Sequence, residues 1–341
     1  MKRIIPFFLI IFFASGVFAQ VGTLTVTNVD SEAGTGITEI EYEFTGDAGT
    51  YDISAKVSFN NGADYSPIPE ADLTGQLTNV IPGTYSLTWN GSASFPETYS
   101  DETIVKITAN FTWQCGDDIT FYYRNIQVTY GTVSKTYNKG TVNEFTLCWM
   151  DRNLGAKPMP FVPAVDATGK NDARLYGDLF QWGRLDDGHQ VRDPLSGTTG
   201  AQSSVPNPGH SNFITGHLNW YNGTSPNPND LWRGENEDGT VINNPCPIGW
   251  HVPRMSELDA EHLSWVPQKS SGAYASALKW PVGGGRSGGG GVSGDNYSGS
   301  IWSSSLYGSE SSYIAYDSNG TMASGRYRAQ GMSVRCVREQ P

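Results

Sequence analysis

The chain is poor in charge and poorer still in basic charge. Only 16% of its 341 residues are Asp, Glu, Lys or Arg, and 22 Lys and Arg stand against 34 acids, for a formal net charge of -12. Nucleic acids and other polyanions need a clustered basic surface, so this balance argues against them as partners. Beyond residue 19 no apolar run reaches the length of a membrane-spanning helix, and membrane insertion of the mature chain is not expected. No cysteine lies in a Cys-x-x-Cys pair. His189, His210, His217, His251 and His262 form no His-x-x-x-His pair, so the usual zinc spacings are missing. The glycine run Gly283-Gly-Gly-Arg-Ser-Gly-Gly-Gly-Gly291 lacks the Gly-Lys-Ser/Thr ending of a phosphate loop and leads into no helical pattern, so it reads as a mobile connection.

What is present begins with an export signature. Lys2 and Arg3 precede the apolar run Ile4 to Phe13, and small residues at Val17 and Ala19 fit signal-peptidase cleavage after Ala19. Residues 1–19 are therefore expected to be a signal peptide, and the protein to be secreted or displayed on the outer cell surface, or held in the periplasm. All four cysteines, Cys115, Cys148, Cys246 and Cys336, lie in the mature chain, an even number in an oxidising compartment. Two disulfides are expected. Four cysteines allow three pairings; Cys115 with Cys148 would staple one hairpin, and pairing of either with the distant cysteines stays open.

The mature length suits two domains. Residues 20–110 hold alternating apolar and polar segments at Thr23 to Thr27, Ile37 to Phe44, Ile53 to Phe59, Thr84 to Trp89 and Thr103 to Ala109. They are separated by turn signals at Asn60-Asn-Gly62, Pro82-Gly83 and Asn90-Gly91. That pattern predicts an all-β sandwich of immunoglobulin or fibronectin type. Residues 111–341 form the second domain, and from residue 151 on the chain is loop-rich and includes seven of the ten tryptophans, from Trp182 to Trp302. One helix is predicted after Pro253, capped by Ser256 with Asp259 at the capping-box offset, carrying Leu258, His262, Leu263 and Val266 near one face. A second is predicted from Asp172 to Trp182, with Leu175, Leu179 and Trp182 as its stripe.

Five motifs in the second half carry a resemblance. They are Cys148-Trp-Met-Asp-Arg-Asn-Leu-Gly-Ala156, Tyr176-Gly-Asp-Leu-Phe-Gln-Trp-Gly-Arg184, Asn244-Pro-Cys-Pro-Ile-Gly-Trp-His-Val-Pro253, Ile301-Trp-Ser-Ser304 and Ser333-Val-Arg-Cys-Val-Arg338. In this order they resemble the Fibrobacter succinogenes major paralogous domain over residues 113–339. The first half more loosely resembles the Ig-like repeats that accompany this domain in Bacteroidetes-type secreted proteins. The resemblance implies an α+β C-type-lectin-like fold, a group that also includes formylglycine-generating enzymes and retroelement-diversified variable proteins. It implies a Cys246 to Cys336 bridge, and it places Trp302 in the core. The glycine run departs from the family, whose members fill that region with a less glycine-rich turn.

The fold class leaves function to the residues. Tyr307, Tyr313, Arg326, Tyr327 and Arg328 lie among Ser, Gly and Asn, a mixture that offers stiff aromatic area and adaptable hydrogen bonds, and all five are expected to be exposed. They are the candidate ligand-binding residues, for a glycan or a protein on another surface. No catalytic set and no metal site is assigned and no cofactor is called for. Calcium is the one ion that acidic loops at Asp186-Asp187, Asn227 to Asp230 and Glu235 to Asp238 have the oxygen ligands to hold. The expected function is surface recognition or adhesion rather than catalysis. The alternatives are a formylglycine-type oxidoreductase, which needs a free cysteine pair for copper, a structural subunit of a surface appendage, and a diversified variable protein.

Overall fold

The structure is a computed structural model that describes residues 23–339 apart from 33, 47, 97, 99, 101, 158–169 and 235–240. The expected signal peptide, residues 1–19, lies outside the described residues. The chain divides into two compact units between Gln114 and Cys115, four residues past the expected boundary.

The first unit is a pair of antiparallel sheets. One has the order β1 (Thr23–Glu32), β2 (Ile37–Thr45), β6 (Gly83–Asn90), β5 (Leu73–Gly75), and the other the order β4 (Ser66–Pro67), β3 (Tyr51–Ser58), β7 (Ile104–Phe111). Strict alternation explains the pairing. Along β2, Ile40, Tyr42 and Phe44 are buried while Glu39, Glu41 and Glu43 face solvent opposite Ser86, Thr88 and Thr84 of β6 or their neighbours, so the acids meet hydroxyls across the ladder. Tyr51, Ile53, Ala55 and Val57 from β3, Leu87 and Trp89 from β6 and Val105 and Ile107 from β7 complete one core between the sheets. All five strands anticipated here form. A one-turn helix α1 (Gly91–Ser94) follows β6, capped by the Asn90 side chain, which accepts the Ala93 N–H.

The second unit is mixed β with long loops. It opens with a hairpin, β8 (Ile119–Tyr123) and β9 (Ile126–Tyr130). Arg124 and Asn125, both at positive φ, form the tight turn between them. A three-stranded sheet joins β10 (Thr132–Tyr137), β11 (Phe145–Met150) and the last strand, β21 (Val337–Glu339). The short strands β13 (Thr198–Thr199) and β14 (Phe213–Ile214) pair in parallel. The main sheet runs β12 (Phe180–Gln181), β20 (Gly331–Met332), β15 (Gly283–Arg286), β17 (Gly299–Tyr307), β18 (Glu310–Tyr316), β19 (Thr321–Arg326), with β16 (Val292–Asp295) also on β15. Disulfides join Cys115 to Cys148 and Cys246 to Cys336.

Two helices, α2 (Met255–Leu263) and α3 (Ser270–Ala275), pack on this frame. The predicted helix is α2, but it starts one residue before Ser256. The Glu257 carboxylate reaches back to accept the Arg254 N–H at 2.6 Å, and Ser305 Oγ accepts the Met255 N–H, so the cap comes from a later acid and a distant strand. Leu263 and Val266, expected on the buried stripe, are 59% and 83% exposed.

The second predicted helix does not form. Ala173–Leu175 makes a single 3-10 turn and Phe180–Gln181 is a strand. Gly177 breaks the pattern at φ +71°, where a Cβ would lie 2.6 Å from the Leu154 oxygen, and the next two N–H groups donate to Leu154 O and Gln190 O instead of up a helix. The apolar stripe is real; Leu179, Phe180 and Trp182 are fully buried as loop and strand residues.

The glycine run is likewise not a loose connector. Gly283–Arg286 lies inside the main sheet, and a Cβ on Gly284 would meet Ser293 O at 2.3 Å. Glycine here admits a close neighbouring strand, and only Ser287 to Gly291 is turn, closed by Ser287 N donating to Gly291 O.

Long loops carry carbonyl groups that no ladder satisfies. Buried and half-buried arginines fill that need. Arg184 donates to Asn212 O and His210 O, Arg286 to Gly290 O and Ser196 O, and Arg192 to Gly177 O and Gly283 O. Each lies over an aromatic ring, of Trp220, Phe213 and Tyr176 respectively. A planar fork with five donors and an apolar face suits that double role.

Candidate recognition surface

The strands β17, β18 and β19 form an antiparallel meander whose alternation sorts the candidate residues. Ile301, Ile314 and Tyr316 face the core that also contains Trp265 and Trp280. The pairings Trp302 to Tyr313 to Ser324 and Ser311 to Arg326 put these five residues on the other face.

That other face carries a floor of indoles. Trp302 Nε1 donates to Phe180 O at 2.8 Å, Trp182 Nε1 to Ser303 O at 2.8 Å and Trp220 Nε1 to Trp182 O at 2.7 Å. Trp232 packs 5.6 Å from Trp182 between ring centres. Every one of these indole N–H groups is bonded to a backbone carbonyl or, for Trp232, reaches Arg184 O at 3.3 Å, so the floor is fixed in orientation.

Two arginines lie along this face. The Arg328 guanidinium sits 4.7 Å from the centre of the Trp182 ring, donating from Nε to Ser311 Oγ at 3.1 Å and from Nη2 to Asn229 Oδ1 at 2.6 Å. Arg326 lies 5.6 Å from the centre of the Tyr313 ring and donates from Nε to the Tyr313 hydroxyl at 3.1 Å. Burial, reinforced by the like charge of Arg233, lowers the Arg328 pKa from its ordinary value. At the end of the meander the Tyr307 ring lies against Gly325, where a Cβ would come within 2.6 Å of it.

Of the five candidate residues, Tyr307 (58% exposed), Tyr327 (43%) and Arg326 are at the surface. Tyr313 and Arg328 are not; they are 3% and 5% exposed. Tyr313 shares the Trp302 face and packs edge-on against that indole at 6.2 Å, while Arg328 follows the end of β19 and turns in over Trp182. Trp302 is fully buried, as anticipated.

The other chemistry-bearing groups are engaged elsewhere. Asp187 accepts from His189 Nδ1 at 2.7 Å, an acid and imidazole pair of the kind that general-base catalysis uses. Yet His189 Nε2 accepts the Gln181 N–H at 2.9 Å, and burial followed by the nearby Arg184 charge lowers the imidazole pKa to about 4, so the pair holds a loop. Of the calcium candidates, Asp186 accepts the Arg124 N–H, Asp187 also binds Arg184, and Asn229 binds Arg328. Residues 235–238 lie outside the described residues. Among the described residues no three His, Cys, Asp or Glu side chains gather as a metal site.

All four cysteines are oxidised, so no thiol is free for copper. Gly285-Arg-Ser-Gly-Gly289 has the Gly-x-Ser-x-Gly spelling of a hydrolase elbow, but its turn leads into the strand β16 instead of a helix. Comparison of the chain with protein-family models, with curated proteins and with solved structures returns no match.

Proposed function

We propose that the chain is an exported recognition protein whose second unit binds a glycan or protein on another surface through the outer end of the β17 to β19 meander. The observation that carries this reading is the exposure of Arg326 and Tyr327 beside buried, hydrogen-bonded tryptophans, with Tyr307 exposed at the end of the same meander. Rigid backing lets exposed aromatics meet a ligand with little further loss of conformational freedom. Two closed disulfides suit an oxidising compartment and support export.

The first unit serves as an Ig-like spacer. Its strand order, β1-β2-β6-β5 against β4-β3-β7, supports that reading, since it corresponds to the A-B-E-D and C-F arrangement of the immunoglobulin sandwich. For the second unit, the five sequence motifs remain the ground for proposing the Fibrobacter succinogenes major paralogous domain and a C-type-lectin-like fold.

The test is an array of glycans and surface proteins probed with the full mature chain and with a Tyr307→Ser, Tyr327→Ser double variant. Binding by the parent that the double variant loses, at unchanged melting temperature, supports the reading. A blank array, or equal binding by both, rejects it.

A further inference from the structure

We propose that the ligand of this surface presents an anionic sugar residue, whose carboxylate or sulfate seats against the guanidinium groups of Arg328 and Arg326. The inference rests on the recognition reading above and narrows it to one chemical class.

Arg328 combines burial with a donor left open. It is 95% withdrawn from solvent, being 5% exposed, yet its hydrogen-bond acceptors are the neutral Ser311 Oγ and Asn229 Oδ1. Its Nη1 has no hydrogen-bond partner among the described residues and is not one of the fully buried, unsatisfied atoms, so that nitrogen retains contact with solvent. A buried cation normally has a counter-charge, because removing it from water costs far more than neutral acceptors return. Arg184, the other guanidinium stacked beside this tryptophan cluster, pairs with Asp187 at 2.7 Å, whereas Arg286, 2% exposed, has neutral acceptors only but spends Nε, Nη1 and Nη2 on them.

Arg326 repeats the pattern. Its bond is to the Tyr313 hydroxyl, and it forms no ion pair among the described residues, although the chain has twelve more acids than bases. Ser311 and Tyr313 are two residues apart on one strand and point to one face, so both guanidinium groups are held on that face.

Among the described residues no acid pairs with either arginine. Glu310 precedes Ser311 on β18 and so belongs to the opposite face, and its carboxylate lies by Gly325. Asp230, next to Asn229, forms no ion pair with Arg328. Two cations held on one face by neutral partners, one reaching solvent only at its tip, offer donors to an incoming carboxylate or sulfate.

A sugar fits better than a peptide side chain because of what rims these donors. Tyr327 offers an exposed ring face on which the C–H face of a pyranose can lie, and Asn229 and Ser324 offer groups for its hydroxyls. The net charge of -12 opposes a long polyanion, so the acidic group belongs to a single residue at the end of a neutral glycan.

The test is ligand-observed NMR and titration of the full mature chain with sialyllactose, sulfated lactose, unmodified lactose and a glutamyl dipeptide. Parallel titrations use Arg326→Gln and Arg328→Lys. The expected result is binding of an acidic lactose that weakens with added salt, no binding of unmodified lactose, and about a tenfold loss in Arg326→Gln at unchanged melting temperature.

Because Arg328 is buried, Arg328→Lys is read only if its melting temperature is unchanged. It keeps the charge but not the fork, and is expected to lose affinity as well. Equal binding of lactose and its acidic forms, preference for the dipeptide, failure of both acidic lactoses, or full affinity in Arg326→Gln overturns the proposal. If the wider array yields a neutral ligand lost in the Tyr307, Tyr327 double variant, recognition stands and the anionic group falls; a blank array removes both.

Discussion

Glu261 Oε1 accepts the indole N–H of Trp280 at 2.9 Å across nineteen residues of chain. The same carboxylate takes Trp265 Nε1, Ser276 Oγ, the Tyr137 hydroxyl and Lys135 Nζ, the last at 2.5 Å, so a fully buried charge is surrounded by five donors. Burial alone would raise this carboxyl, but the Lys135 ammonium and the bonds from Lys135, Trp265 and Tyr137 outweigh burial and leave its pKa below the ordinary value. It ties α2, α3 and β10 together through one residue.

Replacing Glu261 by Gln puts two N–H donors where the indoles and Lys135 expect only acceptors. The expected cost is about 3 to 5 kcal/mol in the stability of the second unit, the range for breaking a buried ion pair. Denaturant unfolding should show the transition of the second unit shifted and that of the first unchanged.

His189 makes stability depend on mild acid. Its pKa is lowered to about 4 in the folded chain, by burial first and the Arg184 charge next, while Asp187 pulls the other way and Arg286 adds to the lowering. The unfolded imidazole, with an ordinary pKa near ~6.5, binds a proton that the folded one refuses. The stabilisation is therefore complete above about pH 6.5 and is lost as pH falls toward 4, with about 2 kcal/mol gone by pH 5. Thermal melts between pH 7 and pH 5 check this, and His189→Gln should flatten that part of the profile. Asp187 and Glu261, whose folded pKa values are lowered, add acid sensitivity only below the ordinary carboxylate range.

The two disulfides should differ in weight. Cys246 to Cys336 closes 90 residues and Cys115 to Cys148 closes 33. Chain-entropy arithmetic assigns about 4 to 5 kcal/mol to the longer loop and about 4 to the shorter. Denaturant unfolding of the Cys246→Ser, Cys336→Ser and the Cys115→Ser, Cys148→Ser pairs should rank them in that order.

Exposed and buried tyrosines of the meander should separate cleanly. Tyr327→Ala should change stability by no more than about 0.5 kcal/mol, as surface substitutions do, whereas Tyr313→Ala should cost about 3 kcal/mol or more by leaving a cavity against Trp302. Thermal melts of the two variants decide it. A variant that includes Tyr313 cannot report on binding alone.

Much of the first unit was legible because its strands alternate: Ile40, Tyr42 and Phe44 announce the inward face of β2 before any contact is known. In the second unit the even cysteine count announced two disulfides, while the Cys246 to Cys336 pairing and the buried Trp302 were expected only from the motif resemblance. It was opaque where period carries no information. Two-residue strands such as Phe180–Gln181 have none, and an apolar stripe at helical spacing there turned out to line a loop.

Local pattern also failed at Tyr313 and Arg328. Alternation marks a strand but does not say that both faces of β18 are covered, the second by Trp182 and Trp302. The Glu261 cluster left no sequence signal, since its partners Lys135 and Trp280 come from separate elements.

Amide hydrogen exchange of the full mature chain, with and without the ligand that the array identifies, locates the contact directly. Slowed exchange at β17 to β19, at residues 327–329 and in the 227–234 turn, with the first unit unaltered, is the predicted result. Protection confined to the first unit, or to the loop of Asp186 and Asp187, would contradict it.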